Sequence, residues 1–346
     1  MYISPTTPRF SLPTPKAHPF LRRTEPGENV PFTPEILYST YGLQRNLHAG
    51  AGKRLALVSA FGAPDIQTGL NRFSSEYGLP FATLQIESMG GSTACEPDWC
   101  LESDADVQWA HAACPGAALL CVLAHDATIG SLITAMRRAA SLGADIVSAS
   151  FGSPEFLGEL ALSAELAQTD AVFVASSGDS GGVVLFPSAC EHCLSVGGVQ
   201  IERQNDRMTH ICAWRQGGGG SSKYTGIPIW QERRREIKEQ TAGYRGTPDV
   251  ALEACPANGY RVYDTQKERF CAVCGTSIAA PIFAGMCVRW GLDGNTEEVA
   301  QKIYRYTKRK REAMRVYDVV CGNNGRYSAH VGYDLCTGLG MPYGQG

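Results

Sequence analysis

The sequence lacks both a long hydrophobic run and an excess of charge of one sign. Its 346 residues carry 31 Lys and Arg against 34 Asp and Glu, a formal net charge of -3. No apolar stretch reaches the roughly 20 residues that a membrane-spanning helix needs. A nearly balanced charge also gives no basic surface of the kind that attracts nucleic acid or an acidic membrane. We therefore expect neither nucleic acid nor a membrane as a partner.

The first residues also lack the continuous apolar core of a secretory signal. Residues 1–23 contain five prolines instead, so no export signal is visible there. The 13 cysteines indicate the opposite, because such usage is typical of proteins from an oxidising compartment. An odd number leaves at least one thiol unpaired. These two signals disagree, and the sequence alone does not identify the compartment.

Two Cys-x-x-Cys pairs, Cys190/Cys193 and Cys271/Cys274, have a spacing that zinc ligands use. No spaced group of Cys or His completes either pair locally. Disulfides or buried thiols are therefore favoured over zinc.

Short apolar runs alternate with helical patterns along most of the chain. The strands read from these runs are 53–60, 118–123, 145–150 and 171–175, and the helical segments between and after them include 128–142 and 158–168. Strands that are apolar throughout, separated by helices, indicate a parallel sheet buried on both faces. The pattern predicts an α/β fold whose sites gather at the carboxyl ends of the strands.

The chain divides into a short arm and one domain. Residues 1–32 are rich in Pro and polar groups and predict an extended N-terminal arm. Helical pattern begins at Pro34 with Thr33 as N-cap, so we place the domain at 33–346. The Gly-rich run 217–220 could be a linker, but strand and helix signals continue on both sides of it. A single domain with a Gly-rich surface loop is the favoured interpretation.

One small-residue turn places a serine before a run of helical spacing. Residues 274–281 read Cys-Gly-Thr-Ser-Ile-Ala-Ala-Pro, with Ser277 at the start of the apolar run. The unpaired N–H groups and the dipole of a helix N-terminus favour negative charge. A serine there can act as an acyl-transfer nucleophile whose oxyanion its own N–H helps to bind. An ordinary N-cap hydroxyl is the alternative.

Histidine, the usual base for such a serine, is scarce. The chain has seven, and none lies in a His-Gly-Thr context. A carboxylate is the available substitute. If residues 101–110 form a helix, Glu102 and Asp106 lie on one face, where two like charges in a partly buried site raise the pKa of at least one. An exposed acidic helix face is the alternative.

A second serine has to be excluded. Residues 178–182, Gly-Asp-Ser-Gly-Gly, spell the surroundings of the nucleophile in trypsin-like proteases, which would make Ser180 catalytic. Those proteases are all-β and place His and then Asp before the serine. This pentapeptide instead follows the strand 171–175 of a βα pattern. We therefore reject Ser180.

Taken together, the motifs resemble those of the sedolisins, or serine-carboxyl peptidases. The family's nucleophile motif, Ser-Gly-Thr-Ser-x-x-x-Pro, matches residues 274–281 except at Cys274. Its Glu-x-x-x-Asp pair, followed by Ala-Pro-Gly-Ala, is similar to 102–106 followed by 113–117. Residues 176–181 resemble the segment whose Asp lines the oxyanion hole.

The resemblance implies a role for each candidate. Ser277 would be the nucleophile, Glu102 the general base and later acid, and Asp106 its orienting partner. Asp179 would line the oxyanion hole and must be protonated to donate there. Further implications are a subtilisin-like, three-layer α/β/α fold with a mainly parallel sheet, and peptide-bond hydrolysis at acid pH, either internal or as tripeptides. The substrate would be a peptide or protein, a pro-domain outside this chain would be a partner, and the compartment would be secreted or lysosomal-type.

The C-terminal region resembles the family's calcium site. The implied ligands of one Ca²⁺ are the side chains of Asp318 and Asp334 and the backbone oxygens of Val319, His330 and Gly332. Oxygen donors suit this hard cation.

Two alternatives and one departure complete the expectations. A calcium-stabilised pseudo-protease would bind peptide without cutting it, although all four catalytic positions hold competent residues. A zinc protein would use both Cys-x-x-Cys pairs. The departure is Cys274, which stands where the family has Ser and would allow a bridge to Cys271.

Overall fold

The computed structural model describes residues 14–24, 30–90, 95–204, 207–306 and 314–344. Residues 1–13 and 25–29 of the predicted arm lie outside the described part. The helices are α1 (Pro34–Tyr41), α2 (Ile66–Tyr77), α3 (Pro97–Ala113), α4 (Ile129–Ser141), α5 (Glu159–Leu166), α6 (Ile229–Glu232), α7 (Arg235–Thr241), α8 (Thr276–Arg289) and α9 (Thr296–Tyr306).

The strands are β1 (His18–Pro19), β2 (Arg22–Thr24), β3 (Arg54–Ala60), β4 (Leu84–Ser88), β5 (Ala118–Ala124), β6 (Ile146–Ala149), β7 (Phe151–Pro154), β8 (Val172–Ser176), β9 (Leu185–Phe186), β10 (Leu194–Gln204), β11 (Arg207–Ala213), β12 (Gly220–Gly226), β13 (Tyr244–Thr247), β14 (Val250–Glu253), β15 (Tyr260–Asp264), β16 (Arg269–Cys274), β17 (Arg315–Tyr317) and β18 (Met341–Tyr343). Each of the four strands predicted from apolar runs is present, and no strand end is shifted by more than one residue.

An eight-stranded sheet forms the centre of the molecule. Its order is β11-β10-β8-β6-β3-β5-β4, and β14 also pairs with β10. The pairs are parallel except for β10 with β11, which is antiparallel. This confirms the predicted, mainly parallel α/β sheet.

Side chains from the two faces of the sheet enter two separate cores, which explains why its strands are apolar throughout. In β3, Leu55 and Leu57 belong to one core, whereas Ala56 and Val58 belong to the other. Because successive side chains of a strand point to opposite faces, a strand covered on both sides needs an apolar residue at every position.

Helices cover both faces. α3 and α8 pack against one another in the first core, and α4 contributes to the second. α3 and α8 are buried along almost their whole length. The result is the three-layer α/β/α architecture that the resemblance implied.

Local signals account for several helix ends. Thr33 caps α1 by accepting a hydrogen bond from the Ile36 N–H at 3.4 Å, as predicted, and Thr128 caps α4 by accepting one from the Ser131 N–H at 3.4 Å. These side-chain caps satisfy N–H groups that a helix start leaves unpaired. No helix within the described ranges has both the length and the apolar character that a membrane crossing requires.

Most cysteines are free thiols. The structure joins Cys95 to Cys100 and Cys212 to Cys321, and leaves both Cys-x-x-Cys pairs unbridged. The suggested bridge between Cys271 and Cys274 was wrong. Both lie on β16 three residues apart, so their side chains leave opposite faces of the strand.

Candidate active site

The four predicted catalytic residues come from two helices and one loop. Glu102 and Asp106 lie on α3, Ser277 is the second residue of α8, and Asp179 lies in the loop after β8. All four are buried, with at most 3% of the surface of any of them exposed. The packing of α3 on α8 therefore brings the acidic pair and the serine together, and an exposed acidic helix face is excluded.

Glu102 is fully enclosed. Burial raises the pKa of its carboxyl well above the usual value, and the neighbouring charge of Asp106 raises it further. Its Oε2 accepts a hydrogen bond from the Leu21 N–H at 3.1 Å. Its Oε1 has no hydrogen-bond partner among the described residues, and neither has Ser277 Oγ. The Ser277 hydroxyl is nevertheless near enough to Glu102 to lower the pKa of its carboxyl by hydrogen bonding.

Asp106 is joined to Ser277 through Ser150. The Ser150 Oγ lies 2.6 Å from Asp106 Oδ1 and 2.9 Å from the Ser277 carbonyl oxygen. A hydroxyl has one proton to donate. Ser150 is the donor in both contacts, so its one proton is shared between the Asp106 carboxyl and the Ser277 carbonyl oxygen. Burial raises the Asp106 pKa, and the hydrogen bond from Ser150 opposes this rise.

Asp179 is held by the first residue of α8. Its Oδ1 accepts hydrogen bonds from the Thr276 N–H at 2.9 Å and the Thr276 hydroxyl at 2.8 Å. The Gly178 N–H in turn donates to Thr276 Oγ1 at 3.0 Å. Burial raises the pKa of Asp179 to about 7, and Oδ2 has no partner within the described ranges. A proton on Oδ2 would make this oxygen a donor aimed at whatever lies beside it.

The turn before Ser277 depends on a glycine. Gly275 has φ +129°, a conformation that side-chain-bearing residues rarely adopt. The position that a Cβ would take lies 2.6 Å from Asp179 Oδ2. Any larger residue would therefore displace the Asp179 carboxyl, so the small-residue turn serves both the backbone and the site.

Two polar residues at the site were missed from the sequence. Ser150 connects Asp106 to Ser277, and Thr276 holds Asp179. The available signal for Ser150 was its place at the carboxyl end of a predicted strand, where such sites gather. Ser180 is exposed, in agreement with its rejection.

The predicted calcium ligands lie around one turn. Asp318 Oδ2 accepts a hydrogen bond from the Gly332 N–H at 2.9 Å, and Asp334 Oδ2 accepts one from the His330 N–H at 3.1 Å. The two carboxylates thus contact the two ends of the segment 330–332. Asp318 precedes this segment in the sequence and Asp334 follows it. With the predicted backbone carbonyls, these carboxylates would give an all-oxygen donor set, which is the chemistry that Ca²⁺ prefers.

The Cys-x-x-Cys pairs show no such arrangement. In the part of the chain that is described, the group of side chains close enough to share a metal ion is His210, Cys212 and Cys321, and two of these form a disulfide. Neither Cys-x-x-Cys pair belongs to a cluster of this kind there.

The sequence is similar to those of known proteins. A sequence model of the subtilase family matches residues 100–291. Kumamolisin from Bacillus sp. (strain MN-32) is 28% identical over 97% of this chain and 66% of its own length. Sedolisin from Pseudomonas sp. (strain 101) is 25% identical over 84% of this chain and 56% of its own length. The chain thus spans less than two thirds of either relative.

Solved structures support the fold. Pseudomonas sedolisin, described as a serine-carboxyl proteinase complexed with two molecules of pseudo-iodotyrostatin, superposes with a TM-score of 0.79 at 24% identity, over 91% of this chain and 96% of that one. A lanthipeptide protease superposes with a TM-score of 0.53 at 13% identity, over 84% of each chain. The subtilisin-like fold implied by the sequence is confirmed.

Proposed function

The chain belongs to the subtilase family and to its sedolisin branch, and on that premise we propose that it is a serine-carboxyl peptidase. The observation that carries the proposal is the grouping of Ser277, Glu102 and Asp179, each buried and each with one oxygen that lacks a partner among the described residues. Buried polar atoms without partners are rare in structural roles, since each costs on the order of 1 to 3 kcal/mol.

In the proposed reaction, Ser277 Oγ attacks the carbonyl carbon of a peptide bond. Its proton passes to Glu102, and a tetrahedral oxyanion forms. The carbon–nitrogen bond then breaks, and Glu102 returns the proton to the leaving amine. Water next attacks the ester carbon of the acyl-enzyme, gives a proton to Glu102, and Ser277 recovers a proton as it leaves.

The oxyanion would be held by two donors. One is the Ser277 N–H in the first turn of α8, where N–H groups have no partner within the helix. The other is the proton on Asp179 Oδ2, opposite the Oδ1 that Thr276 holds. Donors fixed in a water-poor site stabilise the transition state strongly, because they need no reorganisation as the charge develops.

The protonation states that this mechanism needs favour acid pH. Glu102 must be ionised to act as a base, whereas Asp179 must keep its proton. Asp179, with a pKa of about 7, loses that proton as the pH rises through neutrality. On the acid side the limit is Glu102, because burial and the neighbouring Asp106 raise its pKa, while the Leu21 N–H favours its ionised form.

Calcium is the proposed cofactor and would have a structural role. Asp318 and Asp334 would bind it through their carboxylates, with backbone oxygens of Val319, His330 and Gly332. The bound cation would offset the charge of two carboxylates that border one turn. The partners in this proposal are a peptide or protein substrate and a pro-domain, and the peptidase domain is placed at 33–346.

The Ser277→Ala variant tests the proposal. We expect the wild-type protein to cleave a mixed peptide pool at acid pH, and the variant to lose this activity by about 1,000-fold or more. Ser180→Ala is the matched control, because Ser180 is exposed and outside the site; it should retain full activity. Equal cleavage by wild type and Ser277→Ala would refute the assignment, and a folded wild type that binds peptides without cutting them would favour the pseudo-protease.

A further inference from the structure

The described part of the N-terminal arm runs across the candidate site as an extended chain. Residues 18–19 (β1) pair antiparallel with β7, with His18 opposite Gly152. Residues 22–24 (β2) pair antiparallel with β16, with Arg22 opposite Cys274. The segment thus adds a strand on each side of the site and crosses it between residues 19 and 22.

The same segment is held along its other edge. The Ala17 N–H donates to the Ala127 carbonyl oxygen at 2.8 Å, and the Ile129 N–H donates to the Pro15 carbonyl oxygen at 2.9 Å. The chain before the site therefore lies between β7 and the segment 127–129, with backbone hydrogen bonds to each. Strand addition of this kind recognises an extended peptide mainly by its main chain, whatever its sequence.

The bond between Phe20 and Leu21 lies where the chemistry would occur. The Leu21 N–H donates to Glu102 Oε2 at 3.1 Å, so the nitrogen that would leave faces the proposed acid. On the other side, the Phe20 carbonyl oxygen lies 2.8 Å from the position that a Cβ on Gly275 would occupy, and Asp179 Oδ2 lies 2.6 Å from the same point. The carbonyl oxygen is therefore beside the proposed oxyanion donor.

Two glycines make room for the Phe20 ring. Its Cζ atom lies 3.1 Å from the position that a Cβ on Gly152 would take and 3.8 Å from that of Gly178. The Leu185 side chain closes the same space, since it also lies against both positions. Side chains at either glycine would therefore reduce the space that the Phe20 ring occupies.

The chain continues without a break beyond the third residue before the Phe20–Leu21 bond. His18 is that third residue, and Ala17 before it is only 2% exposed and packs in the second core cluster. Removal of tripeptides requires a free amino group at His18, and a cleft closed just beyond it. Here residues 14–17 occupy the cleft in that direction instead.

We propose that this cleft is that of an endopeptidase that cuts internal bonds of an extended polypeptide after an aromatic side chain. The proposal rests on the proposed function and names its substrate class. The arm of the chain itself occupies the cleft in the register of such a substrate, with Phe20 before the scissile bond and Leu21 after it.

A synthetic peptide with the sequence of residues 14–24, Thr-Pro-Lys-Ala-His-Pro-Phe-Leu-Arg-Arg-Thr, tests both the internal position of the cut and the preference for an aromatic residue before it. We expect the 346-residue chain at acid pH to cut it between Phe and Leu, and equally fast whether the N-terminus of the peptide is free or acetylated. A peptide carrying Phe20→Asp should be cut at least about tenfold more slowly. Incubation of the protein alone should produce a new N-terminus at Leu21, and Ser277→Ala should remain uncut there.

The enzyme variant Gly152→Ala tests the pocket from the other side. Its added methyl group would meet the ring at about the 3.1 Å found here, so cleavage of the Phe peptide should fall about tenfold relative to a Phe20→Ala peptide. Unchanged preference in this variant would contradict the assigned pocket. Release of Thr-Pro-Lys from the free peptide alone, or cuts that ignore the aromatic residue, would overturn the proposal while leaving the peptidase assignment intact. Absence of cleavage of every peptide and of the chain itself would overturn the proposed function.

Discussion

Three buried carboxyl groups share one site, and the distribution of their protons determines what the site can do. Burial raises the pKa of Glu102, Asp106 and Asp179. Hydrogen bonds then distinguish them: Glu102 accepts an N–H, Asp106 is bridged through Ser150, and Asp179 has one oxygen held by Thr276 and one free. When neighbouring carboxyls have different surroundings, their pKa values differ. One can then act as an acid and another as a base at the same pH.

The Asp179 side chain gives a prediction about the pH profile. In the wild type, kcat should fall as the pH rises through about 7, because ionised Asp179 can no longer donate to the oxyanion. Asp179→Asn keeps a neutral donor at every pH and can still accept from Thr276, so this alkaline limb should disappear. Asp179→Ala should lower kcat by about 100- to 1,000-fold, as expected for loss of one oxyanion donor. Initial rates between pH 3 and 9 provide the check, and an identical alkaline limb in Asp179→Asn would speak against the role.

For α3, the sequence predicted the helix correctly but did not predict that the helix is buried. The i, i+4 spacing of Glu102 and Asp106 indicated one helix face, and the structure confirms the helix. Its burial on nearly all sides follows from α8, β3 and β15, which cover it from distant parts of the sequence. No local sequence pattern indicates this burial, because the charged residues of α3 are typical of a solvent-exposed helix face.

One further carboxyl on α3 predicts a dependence of stability on pH. Burial raises the Asp104 pKa to about 7, although the Thr265 N–H and hydroxyl both donate to it. The unfolded chain loses this proton near pH 4, whereas the folded state keeps it to about 7. The stabilising contribution is therefore complete below about pH 4 and is lost as the pH rises to about 7, by roughly 1.4 kcal/mol per pH unit.

Asp104→Asn should reduce the slope by the contribution of one carboxyl, because the amide oxygen still accepts from Thr265 but does not ionise; the other buried carboxyls keep their own contributions. Asp98→Asn, on the exposed first turn of the same helix, is the matched control and should retain the whole slope. Urea unfolding at several values between pH 4 and 7 measures both. The account of Asp104 fails if its variant loses stability with pH as steeply as the wild type.

The turn at residues 330–332 carries the calcium prediction. If Ca²⁺ binds there, adding it at about 100 times Kd should raise the free energy of unfolding by about 2.7 kcal/mol. Asp318→Asn should abolish most of this gain, because an Asn oxygen can still accept from the Gly332 N–H while the negative charge is lost. Asp293→Asn, an exposed carboxylate paired with Lys53, is the control. Thermal unfolding with Ca²⁺ and with a chelator measures this gain. A Tm that does not respond to Ca²⁺ would show that the predicted site does not bind the ion.

At the scale of the whole molecule, the sequence predicted the sheet and the four candidate residues, but not how the arm lies on them. Buried strands such as β5 are apolar at every position, which makes them visible locally. The contact of Leu21 with Glu102, 81 residues apart, has no local signal. The N-terminal arm reads as a Pro-rich extended segment, and its backbone hydrogen bonds to β7 do not depend on which side chains it carries.

The cysteines illustrate the same limit. Cys212 and Cys321 are 109 residues apart and meet because β11 lies beside the segment at residue 321. The conspicuous Cys-x-x-Cys pairs, close in sequence, remain thiols. Proximity in sequence was therefore a poor guide to pairing, and only the tertiary arrangement determines it.

The most direct test of the central claim is to locate the covalent acyl-enzyme. The 346-residue chain would be mixed with a peptide ester at acid pH, quenched in acid within the first turnovers, digested and analysed by mass spectrometry. We predict an acyl group on Ser277, and none in the Ser277→Ala protein. An acyl group on Ser180 or on another residue, or cleavage without any covalent intermediate, would contradict the account.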